Sequence, residues 1–164
     1  MHFFVLMATD LYCVLGRYDI ISSFFILIIS MANIALVFPG QGSQSVGMMT
    51  DWGDYQSIVE EVYNQASDAL GYDLWQLVVK GPEQQLNQTE FTQPAMLCAG
   101  VASWKVLQRQ PTLPQVSVMA GHSLGEYTAL VCAQSIEFES ALRIVSKRGQ
   151  LMQKAVATGE GSMA

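Results

Sequence analysis

The fold of this chain is decided by residues 116–127, VSVMAGHSLGEY. The first five of these residues are mostly apolar and run directly into Gly121. A short apolar run that ends in turn residues is typical of a buried strand. Small and apolar residues follow from Thr128 to Ala133 and indicate a helix. We therefore expect a strand, a sharp turn at Ser123 and a helix in immediate succession.

The sequence Gly121-His122-Ser123-Leu124-Gly125 fits a nucleophile elbow between that strand and that helix. Glycines on both sides of the serine allow the strand and the helix to approach closely. The free N–H groups at the helix N-terminus, and its positive dipole end, would face an oxyanion formed at the serine. Ser123 is thus predicted to be a nucleophile, and the backbone N–H of Leu124 an oxyanion donor. The same five residues also fit an ordinary strand–helix turn.

Strand and helix patterns alternate along the rest of the chain and predict an α/β fold with a layered core and parallel strands. Residues 33–38 form a second apolar run, which leads into Pro39-Gly40-Gln41-Gly42 and predicts a buried strand feeding a loop. Helical periodicity covers residues 54–70, 73–79 and about 137–156. A further helix is expected to begin at Thr92-Gln93-Pro94, because proline suits a first turn. Its first half, residues 95–102, is apolar on all sides and predicts a buried central helix.

The composition excludes several classes of function. The chain has 164 residues, which suits one domain, and a net charge of −6. Its eight basic residues are scattered, so no basic stripe is present to bind nucleic acid. The three cysteines, Cys13, Cys98 and Cys132, show neither a disulfide framework nor metal-ligand spacing. Free thiols point to a reducing compartment, and a cytoplasmic location is expected.

The first thirty residues differ from the rest, since no charged side chain occurs from Ile20 to Phe38. The length permits a membrane span or a signal-peptide core, but Asp10 and Asp19 give no positively charged flank. Three interpretations remain open: a membrane or export segment, a structural element, or sequence upstream of a true start at Met31. We favour the last, with residues 1–30 as a dispensable hydrophobic extension and no membrane association.

Two further polar residues stand out. The chain contains only two histidines, His2 and His122. Neighbouring residues at a tight turn point in different directions, so His122 is expected to support the turn and not to act as the base for Ser123.

Arg148 lies within the apolar stripe of the last helix, and a buried arginine needs an anionic partner. That partner is either a side chain or a ligand, unless the arginine reaches out to solvent.

Four separated stretches together resemble the bacterial malonyl-CoA:acyl-carrier-protein transacylases, and more widely the acyltransferase domains of polyketide and fatty-acid synthases. The likeness is collinear from about Met31 to the last residue. The matching stretches are FPGQGSQ at 38–44, TQPA at 92–95, GHSLGEY at 121–127 and RGQLMQ at 148–153. The final residues, GSMA at 161–164, also resemble the strand that opens the family's small subdomain.

The resemblance implies a partial hydrolase-like layered core over residues 31–156. Residues 157–164 would begin a small ferredoxin-like subdomain that this chain does not complete. No metal or bound cofactor is implied, because the coenzyme A thioester is a substrate.

The resemblance also implies an acyl exchange between malonyl-CoA and acyl carrier protein. Ser123 would attack the malonyl thioester to form a malonyl-serine, which the phosphopantetheine thiol of acyl carrier protein would then cleave. The backbone N–H groups of Gln41 and Leu124 would form the oxyanion hole. Arg148 would hold the malonyl carboxylate with both arms of its guanidinium, and Gln93 would line the pocket.

The catalytic histidine of the family lies in a region that has no counterpart in these 164 residues. We therefore expect the chain by itself to be essentially inactive, as an N-terminal fragment of a transacylase. Two other functions remain open. One is a serine hydrolase of esters or thioesters, which would use the same acyl-enzyme. The other is a non-enzymatic, membrane-tethered or decoy fragment that binds acyl carrier protein.

Overall fold

A computed structural model describes residues 26–30, 33–111 and 113–155, in which two strands are followed by four helices, a third strand and two further helices. The expectations for residues 1–25 and for the small subdomain at 157–164 fall outside these residues. The elements are, in chain order, β1 Ile26–Ser30, β2 Asn33–Phe38, α1 Gln56–Leu70, α2 Leu74–Lys80, α3 Glu83–Leu86, α4 Thr89–Leu107, β3 Val116–Gly121, α5 Leu124–Cys132 and α6 Phe138–Ala155. A short 3-10 turn, Gly53–Tyr55, precedes α1.

The predicted helices 54–70 and 73–79 are confirmed as α1 and α2, and their ends follow from local chemistry. Helix α1 stops at Gly71, which adopts a left-handed φ of 77° that glycine tolerates without steric cost. Asp73 begins α2 by accepting a hydrogen bond from the Gln76 backbone N–H at 2.8 Å. The predicted last helix is α6.

The described strands form one sheet in the order β1-β2-β3. Strands β2 and β3 are parallel, which confirms the predicted α/β fold with parallel strands. The long connection between them contains α1 to α4, as a parallel pair requires. Strand β1 pairs antiparallel with β2 and lies within the segment that we interpreted as an extension.

The core lies between the sheet and a buried central helix. Every residue of α4 from 92 to 103 is buried, which confirms the prediction for this apolar stretch. Strand β2 alternates, with Ile34, Leu36 and Phe38 fully buried and the residues between them half-buried. The hydroxyl of Tyr63 in α1 donates to the Ala95 carbonyl at 2.9 Å and so ties α1 to α4.

The predicted start of α4 is wrong by three residues. The helix begins at Thr89, and Pro94 lies inside it instead of in its first turn. The reason is the Gln88 carbonyl, which accepts hydrogen bonds from the backbone N–H groups of Phe91 and Thr92, both at 2.9 Å. These bonds build a helical turn ahead of the proline, and the Thr92 hydroxyl adds a further bond to the same carbonyl at 3.1 Å.

The prediction that 116–120 is a buried strand is also wrong. Strand β3 forms as expected, but Val118 is 56% exposed and Ala120 is exposed as well. Within the described part of the chain, β3 pairs only with β2 and lies at the edge of the sheet. Because Val118 and Ala120 are exposed, the face of β3 that carries them is open as well, and the apolar sequence does not reveal this.

Candidate active site

Ser123 lies in the sharp turn between β3 and α5. Its backbone has φ 56° and ψ −105°, an uncommon conformation for any residue other than glycine and a sign of stored strain. Backbone hydrogen bonds hold the turn in place. The His122 N–H donates to the Phe38 carbonyl at 3.1 Å, and the Gly125 N–H donates to the His122 carbonyl at 2.9 Å. The turn is thereby attached to the end of β2.

The glycines at both sides of Ser123 permit a close approach, as the sequence predicted. A Cβ atom at Gly121 would overlap the backbone of Gly125. A Cβ atom at Gly125 would overlap the Phe38 carbonyl at the end of β2. No side chain fits at either position without movement of the backbone. These two residues therefore set the distance between β2, β3 and the first turn of α5.

The guanidinium of Arg148 contacts Ser123 directly. Its Nη2 atom donates to the Ser123 Oγ at 2.9 Å, and its Nη1 atom donates to the Gln93 Oε1 at 2.9 Å. Arg148 is half-buried, and within the described residues it has no carboxylate partner. Of the two partners that the sequence left open for Arg148, a side-chain carboxylate is thus not found among the described residues. The positive charge remains available to an anionic ligand beside the serine hydroxyl.

Close packing of α6 on α4 brings Arg148 to this position. The next residue, Gly149, is buried, and a Cβ atom there would lie 2.6 Å from both the Cα of Glu90 and the carbonyl oxygen of Thr89. The Thr89 N–H also donates to the Gln153 Oε1 at 3.4 Å. Arg148 therefore projects from α6 where that helix crosses the beginning of α4.

Gln93 connects the arginine with the loop after β2. It is completely buried, and its carbonyl oxygen accepts the hydrogen bond from Arg148. Its Nε2 atom donates to the Met152 Sδ at 3.2 Å and to the Gln41 Oε1 at 3.5 Å. Because both ends of this buried amide are paired, its orientation is fixed. The structure thus joins Gln41, Gln93, Arg148 and Ser123 in one hydrogen-bonded chain.

Two backbone N–H groups next to Ser123 are free. Among the described residues, neither the Gln41 N–H nor the Leu124 N–H donates a hydrogen bond. Leu124 is the first residue of α5, where no intrahelical acceptor exists. The loop that holds Gln41 lies beside the serine, since a Cβ atom at Gly40 would be 3.9 Å from the Ser123 Cβ. The Leu124 N–H thus follows the serine directly in the chain, and the Gln41 N–H belongs to the loop beside it.

His122 lies beside the loop after β2. A Cβ atom at Gly40 would lie 3.3 Å from the His122 Nδ1 and 3.2 Å from its carbonyl oxygen. The His122 side chain is exposed, and the described residues contain no hydrogen bond between it and the Ser123 hydroxyl. Its role in supporting the turn stays a prediction.

Two neighbours of this group were not singled out from the sequence. The ring centroid of Tyr127 lies 5.9 Å from the Arg148 Cζ, at the outer range of a cation–π contact. Met152 contacts Gln93 through its sulfur. Met152 follows Arg148 by four residues on α6. The i, i+4 spacing places such residues on the same helix face, so the signal for Met152 was available in the sequence.

The two cysteines in the described residues are free and buried. Burial raises the pKa of the Cys132 thiol to about 12 and that of the Cys98 thiol well above its usual value. A thiol with a raised pKa is a poor nucleophile near neutral pH, because so little thiolate is present. Cys132 is therefore a small core residue and not a second nucleophile. The part of the chain that the structure describes holds no cluster of three metal-ligating side chains.

Similarity to known proteins extends over most of the chain. The sequence profile of the acyl transferase domain matches residues 35–164. The chain is 54% identical over 133 residues to the malonyl CoA-acyl carrier protein transacylase of Haemophilus influenzae, covering 81% of this chain and 43% of that protein. The chain thus spans about two fifths of the length of the curated relatives that it matches.

Solved structures show the same likeness. The acyl carrier protein S-malonyltransferase of Vibrio cholerae is 57% identical, with a TM-score of 0.71 over 76% of this chain and 40% of that one. A malonyl-transacylase in complex with a type II PKS acyl-carrier protein is 56% identical, with a TM-score of 0.69 over 75% of this chain and 40% of that one. None of the helices between residues 33 and 155 is both long and apolar enough to cross a membrane.

Proposed function

The chain belongs to the acyl transferase domain family, and on that premise we propose that it carries the nucleophile and the acyl-group anchor of a malonyl-CoA:acyl-carrier-protein transacylase. The observation that carries this proposal is the contact between Arg148 and Ser123. A guanidinium that donates one hydrogen bond to a strained serine, and that has no carboxylate partner among the described residues, suits an anionic acyl group. Relatives named as malonyl CoA-acyl carrier protein transacylases support the choice of malonyl.

In the first half-reaction, the Ser123 Oγ attacks the thioester carbonyl of malonyl-CoA, so that a tetrahedral oxyanion forms. The free N–H groups of Gln41 and Leu124 stabilise that oxyanion, with help from the positive end of the α5 dipole. Collapse of the oxyanion breaks the C–S bond, releases the coenzyme A thiol and leaves a malonyl-serine ester. The strained turn at Ser123 serves as a nucleophile elbow in this scheme.

Arg148 gives the reaction its preference for malonyl. The planar guanidinium can pair with a carboxylate through two parallel hydrogen bonds, which an acetyl group cannot accept. Gln93 holds the guanidinium through its buried carbonyl oxygen, and the ring of Tyr127 lies near it.

The second half-reaction requires a thiol, and we propose that the phosphopantetheine of acyl carrier protein supplies it. A relative solved in complex with such a carrier protein supports this partner. The thiol sulfur attacks the malonyl-serine carbonyl, and the same two N–H groups stabilise the tetrahedral oxyanion. Its collapse breaks the bond to the Ser123 Oγ, which leaves the malonyl group as a thioester on the phosphopantetheine and restores the serine hydroxyl. No metal or bound cofactor takes part in either half-reaction. The free, buried thiols agree with a cytoplasmic location.

The base that deprotonates Ser123 is the missing part of this chemistry. We propose that a residue outside these 164 residues supplies it, because His122 makes no hydrogen bond with the Ser123 hydroxyl. Loss of the base in a comparable triad lowers turnover by about six orders of magnitude. The chain incubated alone with radiolabelled malonyl-CoA and acyl carrier protein is therefore expected to show essentially no turnover. Robust turnover that Ser123→Ala abolishes would contradict the assignment of the base.

A chimera tests the transferase function itself. Residues 35–164 replace the matching region of the Haemophilus influenzae transacylase, so that the rest of that protein supplies the missing parts. We expect the chimera to transfer malonyl groups to acyl carrier protein faster than it hydrolyses malonyl-CoA, and its Ser123→Ala variant to do neither. Hydrolysis without transfer would instead identify a thioesterase.

A further inference from the structure

Strand β1 lies outside the stretch that matches the acyl transferase family. The family profile begins at residue 35, whereas β1 ends at Ser30. Even so, β1 pairs with β2 along its whole length. The pairs are Ile26 with Val37, Leu27 with Leu36, Ile28 with Ala35, Ile29 with Ile34, and Ser30 with Asn33. The sheet that carries the candidate site therefore contains a strand that the family profile does not cover.

The backbone groups of β2 are divided between its two neighbours. On the β3 side, the Ile34 N–H donates to the Gln115 carbonyl at 2.9 Å, and the Phe38 carbonyl accepts from the His122 N–H at 3.1 Å. Successive residues of a strand direct these groups to opposite edges. Ala35 and Val37 therefore direct their N–H and carbonyl groups towards β1. In the observed register, Ala35 faces Ile28 in a hydrogen-bonded pair.

Strand β2 is central to the candidate site, since the loop that follows it holds Gln41 and its last carbonyl holds the turn at His122. Among the described residues, only β1 pairs with the groups of Ala35 and Val37 at this edge of the strand. An unpaired edge accepts another strand readily and is a hazard for association. Pairing with β1 makes β2 an interior strand instead.

We propose that this edge of β2 is a strand-binding edge, which the segment Ile26–Ser30 occupies within the same chain as an integral strand of the core. The sequence of the segment suits this role, because three of its five residues are isoleucine and none is proline or glycine. Only residues 31 and 32 separate the two strands, so the entropy cost of bringing them together is small. This inference is independent of acyl transfer, and it opposes the interpretation of residues 1–30 as dispensable.

A pair of proline variants in the full chain tests the pairing. Proline at position 28 removes an N–H that faces β2, whereas proline at position 27 removes one that faces away from it. Backbone amide hydrogen exchange is the measurement. We expect Ile28→Pro to speed the exchange of the Ala35 amide on the order of tenfold or more, and Leu27→Pro to leave it nearly unchanged. Equal exchange of the Ala35 amide in both variants and the unaltered chain would overturn the proposal.

A form of the chain that lacks residues 1–30 gives a second measurement. In this form, the amides of Ala35 and Val37 should exchange faster, whereas the Leu36 amide, which faces β3, should keep its protection. Unchanged protection at Ala35 and Val37 would show that β1 does not cover this edge. The Ile28→Pro and Leu27→Pro variants test the pairing of β1 with β2 even if the shortened form does not fold.

Discussion

Arg148 donates a hydrogen bond of 2.9 Å from its Nη2 atom to the Oγ of Ser123, across 25 residues of sequence. This bond joins helix α6 to the strained turn before α5. The other arm of the guanidinium is held by Gln93, a completely buried residue of α4. Three helices thus place one positive charge against one hydroxyl, and that relationship is the basis of the proposed acyl-group selection.

Replacement of Arg148 should remove the preference for malonyl-CoA over acetyl-CoA. Charged hydrogen bonds contribute about 1.5–3 kcal/mol, so Arg148→Ala should weaken malonyl-CoA binding roughly 10- to 100-fold and leave acetyl-CoA binding nearly unchanged. Arg148→Lys should recover only part of the loss, because an ammonium cannot form the two-pronged pair. Isothermal titration calorimetry of both thioesters measures the difference.

Arg143→Ala is the matched control, since Arg143 pairs with the exposed Glu139 on the same helix. An equal loss for acetyl-CoA would argue against a carboxylate anchor.

Tyr127 should support Arg148 through its ring. Tyr127→Phe keeps the aromatic face and is expected to bind malonyl-CoA like the unaltered chain. Tyr127→Leu removes the face and should weaken binding about two- to fivefold, in keeping with a cation–π contact of roughly 0.5–1 kcal/mol. If the phenylalanine variant lost as much affinity as the leucine variant, the hydroxyl of Tyr127 would be the important group instead.

The glycine at position 125 should not tolerate a side chain. Gly125→Ala forces a methyl group into the Phe38 carbonyl, and we expect a loss of about 3 kcal/mol or more in the free energy of unfolding. Gly71→Ala is the control, because a Cβ atom there meets no atom within 4 Å. Its left-handed φ should cost only about 1–2 kcal/mol. Urea denaturation measures both values. Equal losses in the two variants would contradict the close approach of α5 to β2.

The buried thiols should react slowly at neutral pH. A pKa of about 12 for Cys132, against a usual value of 9.0, lowers its thiolate fraction at pH 8 roughly a thousandfold. In a Cys13→Ser background, alkylation of Cys132 and Cys98 should stay slow near pH 8 and should return to the usual thiol rate once urea unfolds the chain. Mass spectrometry of the alkylated peptides measures both rates. Rapid alkylation of the folded chain at pH 8 would mean that these thiols are accessible.

The raised pKa of Cys132 also makes the free energy of unfolding fall as the pH rises. The pKa of Cys132 is higher in the folded chain than in the unfolded chain, so the unfolded chain loses this proton first as the pH rises. The contribution to stability is therefore fully present below about pH 9 and is lost between pH 9 and pH 12. Urea midpoints should fall across that range, and they should fall less in a Cys132→Ala variant.

Local signals in the sequence predicted much of the fold. The strand–turn–helix at 116–133 and the helix at 54–70 follow from patterns that act within a few residues. The predicted start of α4 was wrong because proline at a first turn is only a preference, and the bonds to the Gln88 carbonyl outweighed it. The exposure of β3 depends on whether another element packs on that face of the sheet. Such an element is distant in sequence, so the local pattern of residues 116–120 does not predict it.

The sequence predicted the individual residues of the candidate site but not the hydrogen bonds that connect them. The glycine spacing singled out Ser123, and the apolar stripe of α6 singled out Arg148 as an arginine that needs a partner. The resemblance to the transacylases was needed for Gln41, because a Pro-Gly-Gln-Gly loop by itself indicates only a turn. The hydrogen bonds that Gln93 makes could not be predicted, since they depend on how closely Gly149 lets α6 approach α4.

The most direct test of the central claim is the location of the acyl group. The chimera with the Haemophilus influenzae transacylase is mixed with malonyl-CoA, quenched in acid and digested, and its peptides are analysed by mass spectrometry. We predict a mass increase of one malonyl group on the peptide that contains Ser123, and its loss when acyl carrier protein is added before quenching. A malonyl group on another residue, or turnover that persists in Ser123→Ala, would contradict the account.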